Sequence, residues 1–133
     1  MDNAGVYTLA SLSILAAQSG ALLTPVLLLD GMSAVTLEAT FKYGAGGVSC
    51  SATVVTSYDG GTTWRHVARF DFGTANASKL ANLQANTAKA VTAYADLNAE
   101  GVNDGFLGDR LAVILSSTGI YSDTTLAVRA SVR

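Results

Sequence analysis

Alternation of apolar and polar residues with a period of two is the feature that most constrains the fold. In residues 34–43, AVTLEATFKY, the apolar and polar side chains take opposite faces of an extended chain, and residues 125–132 repeat this alternation. Such a period is that of a β-strand, because a helix repeats every 3.6 residues. Both stretches therefore predict strands with one buried face. Residues 109–117, DRLAVILSS, are more continuously apolar, which is typical of a strand covered on both faces.

Turn residues separate these stretches at short intervals. Short strands divided by frequent turns favour a β-sandwich or a barrel, and a chain of 133 residues is expected to form a single domain. We therefore predict one all-β antiparallel domain over residues 1–133 with about eight short strands. The turn residues are at 30–31, 44–47, 59–61, 103–105 and 119.

Residues 75–99 carry two competing patterns. They are rich in alanine and have a partial helical stripe between Leu80 and Tyr94, whereas their Thr and Asn residues favour strands. We predict two strands here, joined by a loop at residues 84–86.

The most unusual feature of the composition is its small fraction of charged residues. Only 14% of the residues are charged, against about a quarter in ordinary globular proteins. Such a surface is expected to be covered by partners or by copies of the chain, although a neutral monomeric domain also fits. The net charge of −2 and the scattered Lys and Arg residues argue against nucleic-acid binding. A single cysteine, Cys50, excludes an internal disulfide.

The N-terminal residues 4–29 contain no charge and are long enough to span a bilayer. Polar residues interrupt them, however, and no Lys or Arg precedes them, so we expect neither a signal peptide nor a membrane span. We predict instead two apolar strands around a small-residue turn at residues 18–20. Residues 1–20 are expected to form an N-terminal arm or an edge strand.

The segment SYDGGTTW, residues 57–64, matches the Asp-box pattern known from sialidases and other β-propeller glycosidases. In those enzymes the box lies away from the active site and recurs in several blades. It occurs once here, in a chain too short for a propeller. Its carboxylate can bond the turn amides, its glycines allow positive φ angles, and its tryptophan can pack beneath the turn. We predict a structural turn formed by Ser57, Asp59, Gly60, Gly61, Thr63 and Trp64.

An acidic stretch near residue 100 loosely resembles the start of an EF-hand loop. Asp96, Asn98 and Glu100 alternate and Gly101 follows, but the twelfth position is Leu107, where a bidentate glutamate is needed. We expect a solvated turn here, and neither a metal nor a cofactor.

The sequence contains few of the residue patterns that are typical of catalytic sites. His66 is the single histidine, which disfavours zinc, and no Gly-x-Ser-x-Gly elbow occurs. We therefore predict that the protein is not an enzyme. Alternation places Arg65, Val67 and Arg69 on one strand face, opposite His66, and the two arginines are predicted to pair with acidic residues of a neighbouring chain.

Over most of its length the chain resembles small structural proteins of tailed bacteriophages and prophages. The box and the strand after it carry part of the resemblance, although His66 stands where an acidic residue is common. The resemblance implies a jelly-roll-like β-sandwich present in many copies on a virus particle. The stretches that carry it are NAGVYTLA, LLLDGMSAVTLEATFKYG, TSYDGGTTWRHVARFDF, GVNDGFLGDRLAV and TTLAVRASVR.

Among such proteins we favour a capsid decoration, or cement, protein. It would bind the major capsid protein and copies of itself as a homodimer or homotrimer. It would lie on the capsid surface of the virion after synthesis in the bacterial host cytoplasm. The residues expected at these contacts are Tyr7, Leu9, Leu12, Ile14, Leu15, Arg65 and Arg69.

Two other functions stay open. One is a neck- or tail-associated structural protein, such as a tail terminator, a connector or a fibre base. The other is a carbohydrate-binding attachment module, in which Tyr58, Trp64 and Tyr121 would stack on sugar rings.

Overall fold

The computed structural model describes residues 3–133, which contain eleven strands and no helix. The predicted number of about eight is corrected to eleven, because three strands have only two residues and are too short to show a period. No helix in residues 3–133 could cross a membrane. The strands are β1 (Gly5–Ser13), β2 (Gln18–Leu22), β3 (Ala34–Lys42), β4 (Ala45–Gly46), β5 (Ser49–Thr56), β6 (Arg65–Phe72), β7 (Ala77–Gln84), β8 (Gly101–Val102), β9 (Leu111–Thr118), β10 (Tyr121–Ser122) and β11 (Thr125–Val132).

Two antiparallel sheets pack face to face as a sandwich, which confirms the predicted fold class. One sheet has four strands in the order β1-β11-β3-β7, and the other has five in the order β2-β9-β5-β6-β8. Strands β4 and β10 form a small ribbon of their own. Strand β1 lies at the edge of the four-stranded sheet, where its one strand partner is β11.

The core lies between the sheets and follows the alternation seen in the sequence. In β3 every second residue from Val35 to Phe41 is buried while the residues between them face outward, and β11 alternates in the same way. Phe41 stacks on Phe72 of the opposite sheet, with ring centroids 4.9 Å apart. Each such buried side chain contributes roughly 1.5–3 kcal/mol of hydrophobic stabilisation. The half-buried strands predicted at both positions are confirmed.

Strand β9 is buried on both faces, as its continuous apolar run predicted. Leu111, Ala112 and Val113 are consecutive and fully buried. Ala112 lies opposite Val55 of β5, which in turn lies opposite His66 of β6. These three paired residues lie on the face of the sheet that points away from the main core, yet Val55 is fully buried as well.

Residues 75–99 contain one strand and not the two predicted. The first of the two predicted strands is present as β7. The turn that follows it at residues 85–86 falls inside the predicted loop. Residues 87–100, which we call the strap, form no strand and lie along β6. They bond to side chains and the backbone of β6 instead of to a parallel or antiparallel partner, so no period marks them in the sequence.

The N-terminal turn is also placed differently. The chain leaves the four-stranded sheet after Ser13 and crosses over at residues 14–17. Residues 18–20, predicted as a turn, instead begin β2 in the five-stranded sheet, where a bulge at Gly20 interrupts the pairing. Small residues fit this bulge as well as they fit a turn, which explains the error.

Antiparallel pairing gathers the loops at the two ends of the sandwich. The apolar end consists of residues 14–17, 43–48, 73–76 and 119–124. The Asp-box end consists of residues 23–33, 57–64 and 85–110, and it includes the strap.

Candidate functional site

The Asp-box loop closes on itself through its own polar side chains. The Ser57 hydroxyl donates to Asp59 Oδ1 at 2.9 Å and accepts the Gly61 N–H at 2.9 Å. The Asp59 carboxylate accepts the Thr63 N–H at 2.9 Å and the Thr63 hydroxyl at 2.6 Å. These bonds, those from Thr63 first, lower the pKa of Asp59 to about 2. A carboxyl with this pKa is ionised near neutral pH and is poorly matched to general acid catalysis.

The glycines and the tryptophan complete this loop. Gly60 and Gly61 have φ angles of 74° and 94°, which side chains resist. A Cβ atom on Gly61 would lie 3.5 Å from the Trp64 ring, so the ring packs directly beside the loop. The six residues predicted to form a turn are therefore together, and the side-chain hydrogen bonds of Ser57, Asp59 and Thr63 are internal to the loop.

The acidic residues of the EF-hand-like stretch are not gathered around a common centre. Glu100 accepts a 2.6 Å bond from Lys79 Nζ, which lowers the Glu100 pKa. Asp104 accepts the Gln84 N–H at 2.7 Å, and this bond is the main cause of its lowered pKa. Among residues 3–133, no three His, Cys, Asp or Glu side chains are placed to share a metal ion.

Cys50 is buried in the core, and desolvation raises the pKa of its thiol to about 11. The thiol is therefore protonated at neutral pH, which disfavours nucleophilic or metal-binding chemistry.

A β-bulge in β6 corrects the predicted position of the two arginines. The pairing with β5 skips Val67, which is buried instead of facing outward with the arginines. As a result His66 and Arg69 pair with alternate residues of β5 and share one face. Arg69 donates to Asp71 at 2.8 Å and to the Leu97 carbonyl at 3.1 Å, so its charge is partnered within the chain.

His66 holds the strap against the sheet. Its N–H donates to the Tyr94 hydroxyl at 2.6 Å, and its Nδ1 accepts the Leu97 N–H at 3.0 Å. Its carbonyl accepts the Asn103 side chain at 2.8 Å. The single histidine therefore has a structural role, which sequence reasoning did not assign because its partners lie about 30 residues away.

A pocket of about 350 Å³ opens beside the Asp-box loop, under the strap. Tyr58, Tyr94 and Phe106 supply aromatic surface, and Arg65 and Lys89 supply positive charge. We call it the aromatic pocket. Sequence analysis identified only Tyr58 and Arg65 as candidates, because the strap brings Lys89 and Tyr94 there and the loop after β8 brings Phe106.

Tyr121, the third aromatic residue predicted to stack on sugars, is buried at the apolar end. Its ring meets Phe41 edge-on at 5.6 Å, and its hydroxyl donates to the Gly73 carbonyl at 2.8 Å. It therefore has no free face for a sugar, and its prediction is corrected.

The apolar end presents exposed hydrophobic side chains in nearly uncharged surroundings. Leu15, Val48 and Ile120 are 72%, 65% and 73% exposed. Asp123 is the one charged residue in the four loops of this end. An exposed apolar group of this kind is expected at protein contacts.

Close backbone packing holds the apolar end in shape. A Cβ on Gly46 would lie 2.3 Å from the Ile120 carbonyl oxygen, and one on Gly47 would lie 2.3 Å from the Tyr121 ring. The Gly47 N–H donates to the Ile120 carbonyl at 2.9 Å, and the Tyr43 hydroxyl donates to the Gly46 carbonyl at 2.8 Å. Only glycine leaves room for these two loops to pair.

The N-terminal residues predicted as assembly contacts differ in their exposure to solvent. Leu9 and Ile14 are buried in the core of their own chain, so they cannot contact a partner in this fold. Tyr7 and Leu12 are half-buried and pack against that core. Leu15, just beyond β1, is the member of this set that is exposed.

The fold defines the class of the protein as an all-β antiparallel sandwich. In comparisons with known proteins, the chain matches no protein-family model, no curated protein sequence and no solved structure.

Proposed function

We propose that the protein is a non-enzymatic structural protein of a tailed-phage particle, and specifically a capsid decoration protein. Its partners would be the major capsid protein and copies of itself. The observation that carries this proposal is the apolar end, where Leu15, Val48 and Ile120 are exposed on a tightly bonded frame.

Rigidity makes this surface suited to binding. Loops that are already ordered lose little conformational entropy when a partner covers them. The absence of charge, Asp123 apart, means that few polar groups lose their hydration on contact. Apolar burial repeated over many copies then stabilises a shell through binding to the folded state.

The strand order also supports the proposal. Without the three two-residue strands, the sheets read β1-β11-β3-β7 and β2-β9-β5-β6. We infer that this order is that of a jelly roll, in which eight strands form two Greek keys across two sheets. Jelly rolls are common in viral capsid proteins, but the fold adds weight only by analogy.

A binding experiment with matched variants tests docking at the apolar end. Purified protein is added to source-virus particles that lack it, and cosedimentation is measured. We expect Ile120→Asp to weaken binding at least about ten-fold, because a charge would enter an apolar contact. Leu80→Asp is the control, since Leu80 is 67% exposed on β7, away from both ends. Equal binding by the two variants would rule out the apolar end, and no binding by the unmodified protein would reject the decoration role.

Mass measurement of the free protein separates the virion roles. A dimer or trimer fits decoration, whereas a ring of six or twelve copies would move the protein to the neck or tail.

A further inference from the structure

The aromatic pocket lies at the opposite end from the proposed docking surface, and its lining is of a different kind. Three aromatic rings, the exposed Val91 side chain and two cations are among the groups that line it. These residues are Tyr58, Arg65, Lys89, Val91, Tyr94 and Phe106. A volume of about 350 Å³ is at the small end of the range for ligand sites, which suits one or two rings.

The pocket wall is held in place before any ligand arrives. The Tyr94 hydroxyl accepts the His66 N–H at 2.6 Å, and the Arg65 guanidinium lies 4.7 Å from the Tyr94 ring centroid. A cation at this distance over a ring is attracted to it. The Lys89 stem packs beside Gly105, where a Cβ would be 3.3 Å from Lys89 Cγ.

Neither cation of the pocket forms an ion pair with another described residue, although Lys89 is near enough to Asp104 to add, after the Gln84 bond, to the lowering of the Asp104 pKa. Within residues 3–133, no carboxylate oxygen lies within 4.0 Å of the Arg65 or Lys89 nitrogens. In contrast, four other cations each pair with a carboxylate, and these are Arg69, Lys79, Arg110 and Arg129. The pocket therefore combines unpaired positive charge with aromatic surface.

We propose that the aromatic pocket binds a carboxylated sugar, such as a uronic acid unit of an acidic polysaccharide. Tyr58 is 61% exposed and offers a ring on which the apolar face of a pyranose can stack. Arg65 offers planar paired donors that match a carboxylate, and Lys89 adds a second positive charge. A nucleic acid is a poorer fit, because the net charge is −2 and the Lys and Arg residues form no continuous basic surface.

Two sugars that differ only at one carbon test this proposal. ¹⁵N-labelled protein is titrated with methyl β-D-glucuronide and, separately, with methyl β-D-glucoside, and amide shifts are followed by NMR. We expect the glucuronide to bind with a Kd of about 1 mM and to shift amides of the strap and the Asp-box loop. The glucoside, which lacks the carboxylate, is expected to bind at least about ten-fold more weakly.

Variants locate the binding. Arg65→Gln and Tyr58→Ala are each expected to raise the Kd for the glucuronide about ten-fold or more. Arg129→Gln is the control, because Arg129 is an exposed cation on the four-stranded sheet, where it pairs with Glu38 at 3.6 Å. The spectra themselves show whether each variant is folded.

Three results would overturn the proposal. The first is that the glucuronide shifts no strap or Asp-box amide. The second is that both sugars bind equally, which would mean that the carboxylate is not recognised. The third is that sodium acetate binds as tightly at the same amides, which would mean that the ring is not recognised. None of these results bears on particle docking, so the two proposals fail separately.

Discussion

The two ends of the sandwich fix their loops by different means. At the apolar end, the loops containing Gly46 and Ile120 are held by backbone pairing so close that no side chain fits between them. At the Asp-box end, side chains such as Ser57, Asp59 and His66 bond to backbone groups of the loops and the strap. Side-chain bonds at the first end, such as that from the Tyr43 hydroxyl to the Gly46 carbonyl, add to this backbone pairing, and apolar side chains such as Ile120 remain exposed there. The second end carries most of the loop charge beside exposed apolar side chains such as Leu28 and Val91, and its stability depends on pH.

Charge follows the same division. The loops of the apolar end have one charged residue, Asp123, whereas those of the Asp-box end have eight. The apolar end is thus suited to burial against protein, whereas the Asp-box end combines charge with exposed apolar side chains, Leu27 and Leu28 among them. The eight are Asp30, Asp59, Lys89, Asp96, Glu100, Asp104, Asp109 and Arg110.

The largest expected effect comes from adding one methyl group at each end. Gly46 and Gly60 have almost the same φ, 71° and 74°, but a Cβ on Gly60 would meet no atom within 4 Å. Gly60→Ala should lower the free energy of unfolding by about 1–2 kcal/mol through backbone strain alone. Gly46→Ala should lower the free energy of unfolding by about 1–3 kcal/mol more than Gly60→Ala, because its Cβ would also clash with the Ile120 carbonyl oxygen. Urea unfolding measures both, and equal losses would contradict the close packing of the apolar end.

Removal of one hydroxyl should have a moderate effect. Ser57 is fully buried, and Ser57→Ala leaves the Gly61 N–H without its acceptor and removes one of the donors to the Asp59 carboxylate. We expect a loss of about 1–2 kcal/mol in the free energy of unfolding. Ser122→Ala, at an exposed position of the apolar end, is the control and should change stability by less than about 0.5 kcal/mol. Equal losses would mean that the Ser57 bonds do not hold the loop.

Acid should weaken the Asp-box end through Asp59. Its pKa is about 2 in the folded protein, against an ordinary 3.8, so its ionised form favours folding. This contribution is complete above about pH 4 and is lost as the pH falls through the folded pKa, toward 2. Glu100, Asp104 and Asp109 also have lowered pKa values and add to the same trend.

A comparison of variants isolates the contribution of Asp59 to the pH dependence of stability. Melting temperatures measured from pH 6 to pH 2 should fall less steeply for Asp59→Asn than for the unmodified protein. Asp123→Asn changes an exposed carboxylate at the other end and is expected to leave the slope unchanged. If Asp59→Asn keeps the full slope, the loop bonds do not account for the low pKa.

The smallest expected effect on stability is at the proposed docking surface. Ile120→Ser should change the free energy of unfolding by less than about 0.5 kcal/mol, because most of the side chain is exposed. The same variant should bind particles more weakly. A loss of stability above about 1 kcal/mol would show that Ile120 belongs to the fold and not to a free surface.

Much of the fold follows from local patterns. The alternation in β3 and β11, the continuous apolar run of β9 and the turn glycines each act within a few residues, so the sequence is enough to find them. The Asp-box loop is equally local, because Ser57, Asp59 and Thr63 bond within one turn.

The site required contacts between distant parts of the chain. The bulge at Val67 puts Arg69 beside His66, which alternation had placed on the opposite face. The strap then brings Tyr94 to the arginine of a strand 29 positions earlier, Arg65. Neither the bulge nor the position of the strap is indicated by a repeating pattern of apolar residues in the sequence.

By itself, then, the sequence determined the long alternating strands, the Asp-box turn and the low charge, since each depends on neighbouring residues. The tertiary structure decided the order of the strands in each sheet, the burial of Leu9, Ile14 and Tyr121, and the separation of an apolar end from a charged one. The physical reason is that burial and pocket formation depend on which distant segments meet. A residue's type says only that it can be buried, and the packing of the two sheets decides whether it is.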